Sequence, residues 1–317
     1  MRVVERRWGV SENGVGRGAH AAVVGAWLLW SCDPVIVRYL GADFPRLVML
    51  AIGCLCGGLT FVVPAWRGAA VLRRRPKLLL LFVCYVLFST ALADFCYVNA
   101  IKYLHPGLVG LALRSQLAFA IFAAWVFLGE SISRWTALGM LLVLGAYGQG
   151  VYFAWVDAAA AGDNRLWGWV FAFCSAILWT FGTIGGKILL RELKPRSLSG
   201  LRLLSSGMIM LILSLCINGV DAYAAIQPAE WLLLIGKGVF VSGLAFGLYL
   251  YGLKWVNVAV ASAWEQLAPL FTIIISVLWL GETINGRQAF TVAVVILGAI
   301  MIILARAWDE RKFRLRN

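Results

Sequence analysis

The sequence predicts an all-α membrane protein with ten transmembrane helices in two inverted five-helix repeats. Three observations carry this prediction: apolar blocks long enough to span a bilayer, an uneven distribution of basic residues between the blocks, and an internal repeat. Of the 317 residues, 62% are hydrophobic and 14% are charged, whereas soluble domains are close to half apolar and a quarter charged. One soluble core of this size cannot bury so much apolar surface, so lipid is the expected surrounding.

The apolar residues are concentrated in blocks of roughly 20 residues, the length that crosses a hydrocarbon core as a helix. Helices are expected because every backbone group in lipid needs an internal hydrogen-bond partner, and no alternating strand pattern indicates a barrel. Most connections between blocks are short and contain Gly, Pro or charged residues. The blocks are predicted at 20–40, 46–66, 78–100, 106–128, 134–155, 166–190, 198–218, 231–253, 259–280 and 286–306.

The first block follows four arginines and so resembles a signal peptide. It contains Asp33-Pro34, however, and lacks a clear small-residue cleavage site, so we interpret it as the first spanning helix.

The basic residues predict the orientation of the chain. With the N-terminus in the cytoplasm, 20 of the 28 Lys and Arg residues fall on the cytoplasmic side, five on the opposite side and three inside blocks. This asymmetry is typical of membrane proteins and supports an even number of spans with both termini cytoplasmic. It also explains the net charge of +13 without a nucleic-acid partner.

An internal repeat relates the two halves of the chain. A shift of 152 residues matches Tyr97 with Tyr249, Lys102 with Lys254, and Leu128-Gly129-Glu130 with Leu280-Gly281-Glu282. Earlier in each half, Leu29-Trp30-Ser31 matches Leu178-Trp179-Thr180 at a slightly smaller shift. Chance similarity between apolar segments can supply Leu, Ile and Val matches, but it does not easily supply polar and Gly matches in register. The pattern therefore indicates a duplication.

Each half holds five predicted helices, and because five is odd, the second half must enter the membrane from the opposite side. Inverted repeats of this kind are characteristic of secondary transporters, in which movement of one half against the other alternately opens a site to each side. The predicted divisions are a cytoplasmic tail at 1–19, a first repeat at 20–155, a linker at 156–165, a second repeat at 166–306 and a basic cytoplasmic tail at 307–317.

The ten blocks, the two halves and the Leu-Gly-Glu near the end of the fourth block of each half resemble the drug/metabolite transporter superfamily, and within it the EamA-like transporters. The resemblance covers 20–306. It implies a ten-helix bundle with a central cavity and cytoplasmic termini, and transport, often export, of amino acids or other small metabolites. Glu130 and Glu282 match the family motif; they lie at helix ends, and we interpret them as structural.

Six ionisable residues lie inside the blocks, where a charge costs at least ~2.5–3.5 kcal/mol on insertion scales. They are Asp33, Asp94, Arg114, Arg202, Lys237 and Glu265. At 1.5 Å per residue, Asp33, Asp94, Arg114 and Lys237 are all expected ~9–12 Å below the outer surface. They form either a charged layer over a central site or, for Arg114 with one of the acids, a pair that only holds helices together. Lys237 has the further alternative of extending outward to the surface.

Glu265 is the strongest candidate for a transport role, because it lies near the inner end of its block in Trp264-Glu265-Gln266, just before Pro269. A desolvated carboxylate is able to carry a proton or to bind a substrate amine. The alternatives are a fixed partnership with Arg202 and an error in the predicted position of the helix end.

Aromatic residues within the blocks form a second group of candidates. Trp30 with Trp179 and Tyr97 with Tyr249 are repeat-equivalent pairs, and Trp264 lies beside Glu265. They are expected either to line the cavity, offering apolar faces and cation–π contacts, or to pack between helices. Gln116, Asn99 and Gln266 are candidates for hydrogen bonds to substrate or to neighbouring helices.

No enzyme, metal site or cofactor is predicted. The seven cysteines lie in apolar blocks without metal-site spacing, the two histidines have no partner nearby in sequence, and there is no phosphate loop. The expected partners are the lipid bilayer, a small-molecule solute and protons as the candidate coupling ion. The prediction is a secondary carrier for amino-acid-like solutes in a bacterial inner membrane; the alternatives are a passive channel and a non-transporting scaffold.

Overall fold

Helices form nearly the whole of the described chain, and no strand occurs there. The computed structural model describes residues 13–40, 44–103, 112–113, 115–129, 132–159, 165–266, 268, 271, 274–275, 278 and 286–316. This confirms the predicted helical fold class, since apolar residues in lipid leave the backbone no partner other than itself.

The first half of the chain contains eight α-helices and two π-helical segments among its described residues. They are α1 Asn13–Ser31, α2 Asp33–Leu40, α3 Arg46–Leu59, α4 Val62–Arg73, α5 Pro76–Val86, π1 Leu87–Leu92, α6 Ala93–Tyr103, α7 Gln116–Ala123, π2 Ala124–Leu128 and α8 Arg134–Ala159.

The second half contains seven α-helices and one π-helical segment among its described residues. They are α9 Arg165–Leu189, α10 Pro195–Asn218, α11 Asp221–Ala224, α12 Pro228–Gly236, π3 Lys237–Leu244, α13 Ala245–Trp255, α14 Val258–Glu265 and α15 Gly286–Arg316.

Proline and glycine set several of the helix ends. Pro195 and Pro228 occupy the first turns of α10 and α12, where the missing N–H would have no partner in any case. Before α12, the side chain of Glu230 accepts a hydrogen bond of 2.9 Å from the backbone N–H of Gln227 and completes a capping box. Gly129 ends π2 with φ of 70° and Gly219 ends α10 with φ of 74°, values that L side chains rarely adopt.

Four helices are long and apolar enough to cross a membrane: Pro76–Tyr97, Trp167–Leu189, Pro195–Asn218 and Pro228–Trp255. They coincide with four predicted blocks to within a few residues. Shorter apolar helices at Gln116–Leu128, Arg134–Ala146 and Ala293–Ala305 fall in three others. The count of ten spans stays a prediction, because only four helices of the described chain, or five with one bent pair, have the required length and composition.

The bent pair is α3 with α4, whose axes meet at 86°. The sequence predicted a span at 46–66, whereas in the structure this segment is broken, because α3 ends at Leu59. Pro64 supplies the physical reason: its ring would clash with the carbonyl four residues earlier, at Thr60, if the helix continued. The chain instead turns at Thr60 and Phe61, and the hydrogen bond from Ala65 N to Phe61 O begins the new helix.

The described helices group into two compact units, and each unit takes helices from both halves of the sequence. Unit 1 comprises Met1–Pro76 with Gly186–Asn257, and unit 2 comprises Lys77–Gly185 with Val258–Asn317.

In unit 1, α3 and α10 pack at close range through glycines that make reciprocal contacts. A Cβ added at Gly58 would lie 2.8 Å from Cγ of Leu204, and one added at Gly207 would lie 2.9 Å from Cγ of Leu55. Residues 204 and 207 follow residues 55 and 58 by 149 positions, and the same shift of 149 relates Trp30 to Trp179. The two contacts are therefore related by the predicted repeat.

In unit 2, α8 and α15 cross at two glycines. A Cβ on either Gly139 or Gly298 would lie 2.7 Å from the carbonyl oxygen of the other. An apolar cluster surrounds this crossing and includes Val143, Val295 and Ile302. Close helix approach through small residues is the usual means of association where lipid, not water, surrounds the helices.

Two spans share a further feature that the repeat predicts. Pro76 and Pro228, 152 residues apart, begin Pro76–Tyr97 and Pro228–Trp255, and each span contains a π-helical segment, π1 or π3. π-helical turns inside α-helices often occur at functional sites.

Candidate functional site

The repeat-equivalent Trp and Tyr residues form one ring pair in each unit. In unit 1, Trp30 of α1 lies against Tyr249 of α13, with ring centroids 5.3 Å apart and an interplanar angle of 53°. In unit 2, Tyr97 of α6 lies against Trp179 of α9, at 5.4 Å and 44°. These separations are typical of favourable aromatic pairs. Each unit thus holds the same Trp–Tyr contact, built from different helices.

The ring pair of unit 1 belongs to a larger aromatic cluster, which we define as Trp27, Trp30, Phe246 and Tyr249. The centroid of Trp30 lies 4.7 Å from that of Trp27 and 5.4 Å from that of Phe246. The indole Nε1 of Trp27 is buried without a hydrogen-bond acceptor. Buried indole N–H groups usually have a partner, so the hydrogen-bonding capacity of this donor is unused.

An ion pair is formed by Asp33, three residues after Trp30 of the aromatic cluster. Nζ of Lys237, the first residue of π3, is 2.8 Å from Oδ1 of Asp33, the first residue of α2. The Lys237 side chain is 4% exposed and that of Asp33 is 35% exposed. The alternative in which Lys237 extends outward to the surface is therefore not what the structure shows. Gly53 of α3 lies beside the pair, since a Cβ added there would be 3.8 Å from Nζ.

Arg202 of α10 also contacts the cluster. Its guanidinium carbon lies 4.0 Å from the ring centroid of Phe246, well within the range of a cation–π contact. Unit 1 therefore brings two cations, one carboxylate and four aromatic rings to neighbouring positions on α1, α2, π3, α13 and α10. Such a set can bind a solute that carries both a charged group and an apolar side chain.

In unit 2, the charged residue at the ring pair is Asp94. Its Oδ1 accepts a hydrogen bond of 3.1 Å from the indole Nε1 of Trp179. Ser175, one turn earlier on α9, donates a hydrogen bond of 3.0 Å to the carbonyl oxygen of Ala93. Asp94 thus fixes the orientation of the indole that stacks on Tyr97.

The predicted residues around Glu265 lie on two packed helices of unit 2. Leu117 and Ile121 of α7 share an apolar cluster with Ala259 and Ala263 of α14. Gln116, Glu265 and Gln266, at the ends of these helices, are all buried, and Trp264 is half-buried.

Within this group, Gln266 has one polar atom satisfied and one not. Its Nε2 donates to the carbonyl oxygen of Ser262 at 3.0 Å, and its Oε1 is buried without a donor. Like the indole of Trp27, this amide oxygen is a buried hydrogen-bonding group that a solute or water could satisfy.

Several predicted residues lie outside the part that the structure describes. Arg114, Glu130, Pro269 and Glu282 are among them. The predicted pairing of Arg114 with an acid therefore stays a prediction. Among the described residues, no group of three or more His, Cys, Asp or Glu could hold a metal ion.

Sequence reasoning missed three residues that have buried or aromatic contacts in the structure: Trp27, Phe246 and Lys187. Trp27 lies three residues before Trp30 and Phe246 three before Tyr249, so helical spacing places each on the same face as its predicted neighbour. Lys187 was assigned to the cytoplasmic segments, but it lies buried in the last turn of α9 and donates to the carbonyl oxygen of Val256. Its position inside an apolar block was the available signal.

Buried charged side chains in helices of membrane-spanning length are typical of helical membrane transport proteins. The sequence model of the EamA-like transporter family matches residues 17–148 and 166–304. The chain therefore belongs to the EamA-like transporter family, is an integral membrane protein, and transports small solutes.

Similar proteins agree with this family. "Riboflavin transporter ImpX" of Fusobacterium nucleatum is 25% identical over 71% of this chain and 76% of its own length. "Uncharacterized transporter sll0355" of Synechocystis is 23% identical over 93% of this chain and 92% of its own. "Uncharacterized inner membrane transporter YedA" of Escherichia coli K12 is 21% identical over 90% of each. A solved structure titled "Crystal structure of protein" has a TM-score of 0.73 at 20% identity, covering 92% of this chain and 98% of that chain; this likeness shows the fold.

Proposed function

We propose that the protein is a secondary-active carrier that moves amino-acid-like solutes across the membrane by alternating access. The observation that carries the proposal is the ion pair of Asp33 and Lys237 beside the aromatic cluster of unit 1. A zwitterion needs an acid and a base at close range, and an apolar side chain needs a surface that excludes water. Both are available here, because Asp33 follows Trp30 by three residues.

In this proposal the chain has ten spans in two inverted repeats. Support comes from the two equal Trp–Tyr pairs, from the reciprocal contacts of Gly58 and Gly207, and from the prolines that begin two equivalent spans. Inverted repeats provide two conformations of similar energy, each open to one side of the membrane.

The residues of the site have distinct roles. Lys237 binds the solute carboxylate, and Asp33 binds the amine once the solute has separated the pair. The rings of Trp30 and Tyr249 contact the apolar part of the solute. Trp179 and Tyr97, held by Asp94, form the equivalent surface in unit 2, while Gln116, Trp264 and Gln266 serve as a polar group near Glu265.

Protons are the coupling ion in this proposal, and Glu265 carries them. Glu265 is a buried carboxyl group at the last position of α14, and a carboxyl group can load and release a proton during the cycle. Transport proceeds outward from the cell, with both termini in the cytoplasm of a bacterium and the protein in its inner membrane. The predicted excess of basic residues on one side supports this orientation.

A flat heteroaromatic solute is the second candidate. Four rings within contact distance of one another, in edge-on and tilted contacts, provide more aromatic area than an amino acid needs. One relative carries the name riboflavin transporter. Riboflavin therefore belongs in the solute panel beside the amino acids.

Counterflow into proteoliposomes tests the carrier proposal. Vesicles are loaded with unlabelled solute and given a trace of labelled solute outside, in a panel of amino acids and riboflavin. A carrier accumulates label transiently because inward and outward movements are coupled one for one. Equilibration without a transient peak indicates a channel, and the absence of flux for every solute indicates a scaffold; either result contradicts the proposal.

The proton role has its own test. Glu265→Gln is expected to abolish transport driven by a pH gradient while solute exchange continues, since exchange needs no net proton movement. Asp221→Asn, at an exposed acid of α11, is the matched control and should change neither activity. Gradient-driven transport by Glu265→Gln at the normal rate would exclude Glu265 as the proton carrier.

A further inference from the structure

The helix α4 is oriented unlike the helix before it. Its axis is turned by 86° from that of α3. If α3 crosses the bilayer, α4 runs nearly parallel to the membrane surface. This arrangement follows from Pro64, which stops the preceding helix, and from the packing of α4 on α10.

One side of α4 is anchored to protein. Ala65, Gly68 and Leu72 are buried, and their spacing places them on one stripe of the helix. The anchor is tight, because a Cβ added at Gly68 would lie 2.8 Å from Cδ1 of Leu201 and 3.0 Å from Cβ of Ser197. The orientation of α4 is therefore fixed by α10.

The opposite side of α4 carries an apolar strip flanked by arginines. Val63 is 60% exposed and Trp66 is 76% exposed. At 100° per residue these two side chains point away from the buried stripe, while Arg67 and Arg74 follow one edge of the strip and Arg73 the other. A narrow apolar face that includes Trp, bordered by basic residues, is typical of helices that lie in a lipid interface.

Further cations surround the end of α4. Arg75 pairs with Glu192, which brings the connection between α9 and α10 next to it. We define the basic plate as the seven exposed cations of this region of unit 1: Arg67, Arg73, Arg74, Arg75, Arg191, Lys194 and Arg196. Glu192 is the one acidic residue within 67–75 and 191–196, so the plate has a net charge of +6.

We propose that α4 lies along the membrane surface with Trp66 and Val63 inserted among the lipids, and that the basic plate binds the headgroups of anionic phospholipids. Each cation near an anionic bilayer strengthens binding roughly fivefold. The exposed apolar strip selects a lipid over a soluble anion, because only a lipid brings acyl chains to Trp66. This proposal is independent of which solute the protein carries.

Thermal unfolding of the purified full-length protein in detergent tests the proposal. Increasing amounts of phosphatidylglycerol are expected to raise the melting temperature to a plateau, and phosphatidylcholine is expected to raise it less. The variant R67Q/R73Q/R74Q should require on the order of a hundredfold more phosphatidylglycerol for half of the effect. R67K/R73K/R74K, which keeps the charges, should behave as the wild type.

The control removes the same charge elsewhere. R17Q/R134Q/K254Q lacks three cations outside the plate and should respond to phosphatidylglycerol as the wild type does. Equal stabilisation by the two lipids, or equal weakening of both triple variants, would overturn the proposal. Stabilisation by glycerol 3-phosphate equal to that by phosphatidylglycerol would overturn it too, and would indicate a site for soluble phosphates.

Discussion

The Trp–Tyr pairs of the two units have nearly the same geometry. The centroids of Trp30 and Tyr249 are 5.3 Å apart in unit 1, and those of Tyr97 and Trp179 are 5.4 Å apart in unit 2. In each unit the Trp comes from the first predicted helix of one half and the Tyr from the third predicted helix of the other. The two contacts therefore follow the pattern of the predicted repeat.

The charged neighbours of the two pairs differ. Asp94 accepts a hydrogen bond from Trp179 in unit 2, whereas the equivalent position in unit 1 is Phe246, which stacks with Arg202. Asp33 has Gly182 as its equivalent, 149 residues later. A Cβ at Gly182 would lie 2.8 Å from Cβ of Ser89, so unit 2 has no room for a carboxylate there. The aromatic contact is repeated and the ion pair is not, which gives unit 1 the charges that distinguish the two sites.

The largest loss of stability is expected when the ion pair of unit 1 is broken at Asp33, its more exposed partner. Asp33→Asn leaves the charge of Lys237 buried at 4% exposure, and an uncompensated buried charge costs about 3–5 kcal/mol. Lys237→Met should cost less, because the remaining carboxylate of Asp33 is 35% exposed and can be hydrated. Thermal unfolding in detergent measures both, and both variants should lose counterflow.

The double variant Asp33→Asn with Lys237→Met serves as the control for folding. It removes both charges and should recover most of the stability lost in Asp33→Asn, without recovering transport. A single variant Asp33→Asn as stable as the wild type would show that the ion pair contributes nothing to unit 1.

The next largest loss of stability is expected to differ between the two paired Trp residues, Trp179 and Trp30. Trp179→Phe removes the hydrogen bond to Asp94 and should cost about 1.5–3 kcal/mol, the range for bonds to a charged acceptor. Trp30→Phe keeps a ring against Tyr249 and should cost less. The difference in unfolding temperature between the two variants checks this; equal losses would mean that the bond to Asp94 contributes nothing and that ring area alone determines both.

A smaller and matched pair of effects is expected at the crossing of α3 and α10. Gly58→Ala and Gly207→Ala each place a Cβ within 3 Å of a leucine and should each cost about 1–3 kcal/mol through overpacking. Gly236→Ala, where nothing lies within 4 Å, is the control and should be neutral or stabilising. Unequal costs at the two crossing positions would show that the reciprocal contacts are not energetically equivalent.

The smallest effect is expected at Phe246. Replacement by Leu removes the ring under Arg202 and should cost about 0.5–1 kcal/mol beyond the loss of apolar area. Phe240→Leu, at a ring that is 57% exposed in π3, provides the comparison. Equal unfolding temperatures for the two variants would show that the cation–π contact of Arg202 with Phe246 does not stabilise unit 1.

Much of the secondary structure could be predicted because it depends on neighbours in the sequence. Apolar blocks of spanning length located Pro76–Tyr97, Trp167–Leu189, Pro195–Asn218 and Pro228–Trp255 to within a few residues. The bend after α3 was also predictable from Pro64, yet hydropathy hid it, since Val62, Val63 and Trp66 continue the apolar block without interruption. A backbone constraint and a hydropathy pattern conflicted at this point, and the backbone constraint prevailed.

Partner choice inside the site was less predictable. Depth estimates placed Asp33 and Lys237 at a similar level, which agrees with their ion pair, but they placed Asp94 and Arg114 there equally well. Depth along a helix is a local property, whereas the direction in which a side chain faces depends on how helices rotate against one another. The contacts of Lys237 with Asp33 and of Asp94 with Trp179 needed the packed helices.

By itself, the sequence determined that the chain is helical and resides in a membrane, because these properties follow from hydropathy. Its internal repeat also predicted two related halves. Only the tertiary structure decided that each compact unit combines helices of both halves, which direction α4 takes after the bend, and that the ion pair occurs in unit 1. Those outcomes depend on steric fit at Gly58, Gly68 and Gly182, where the presence or absence of one methyl group decides which helices can pack together.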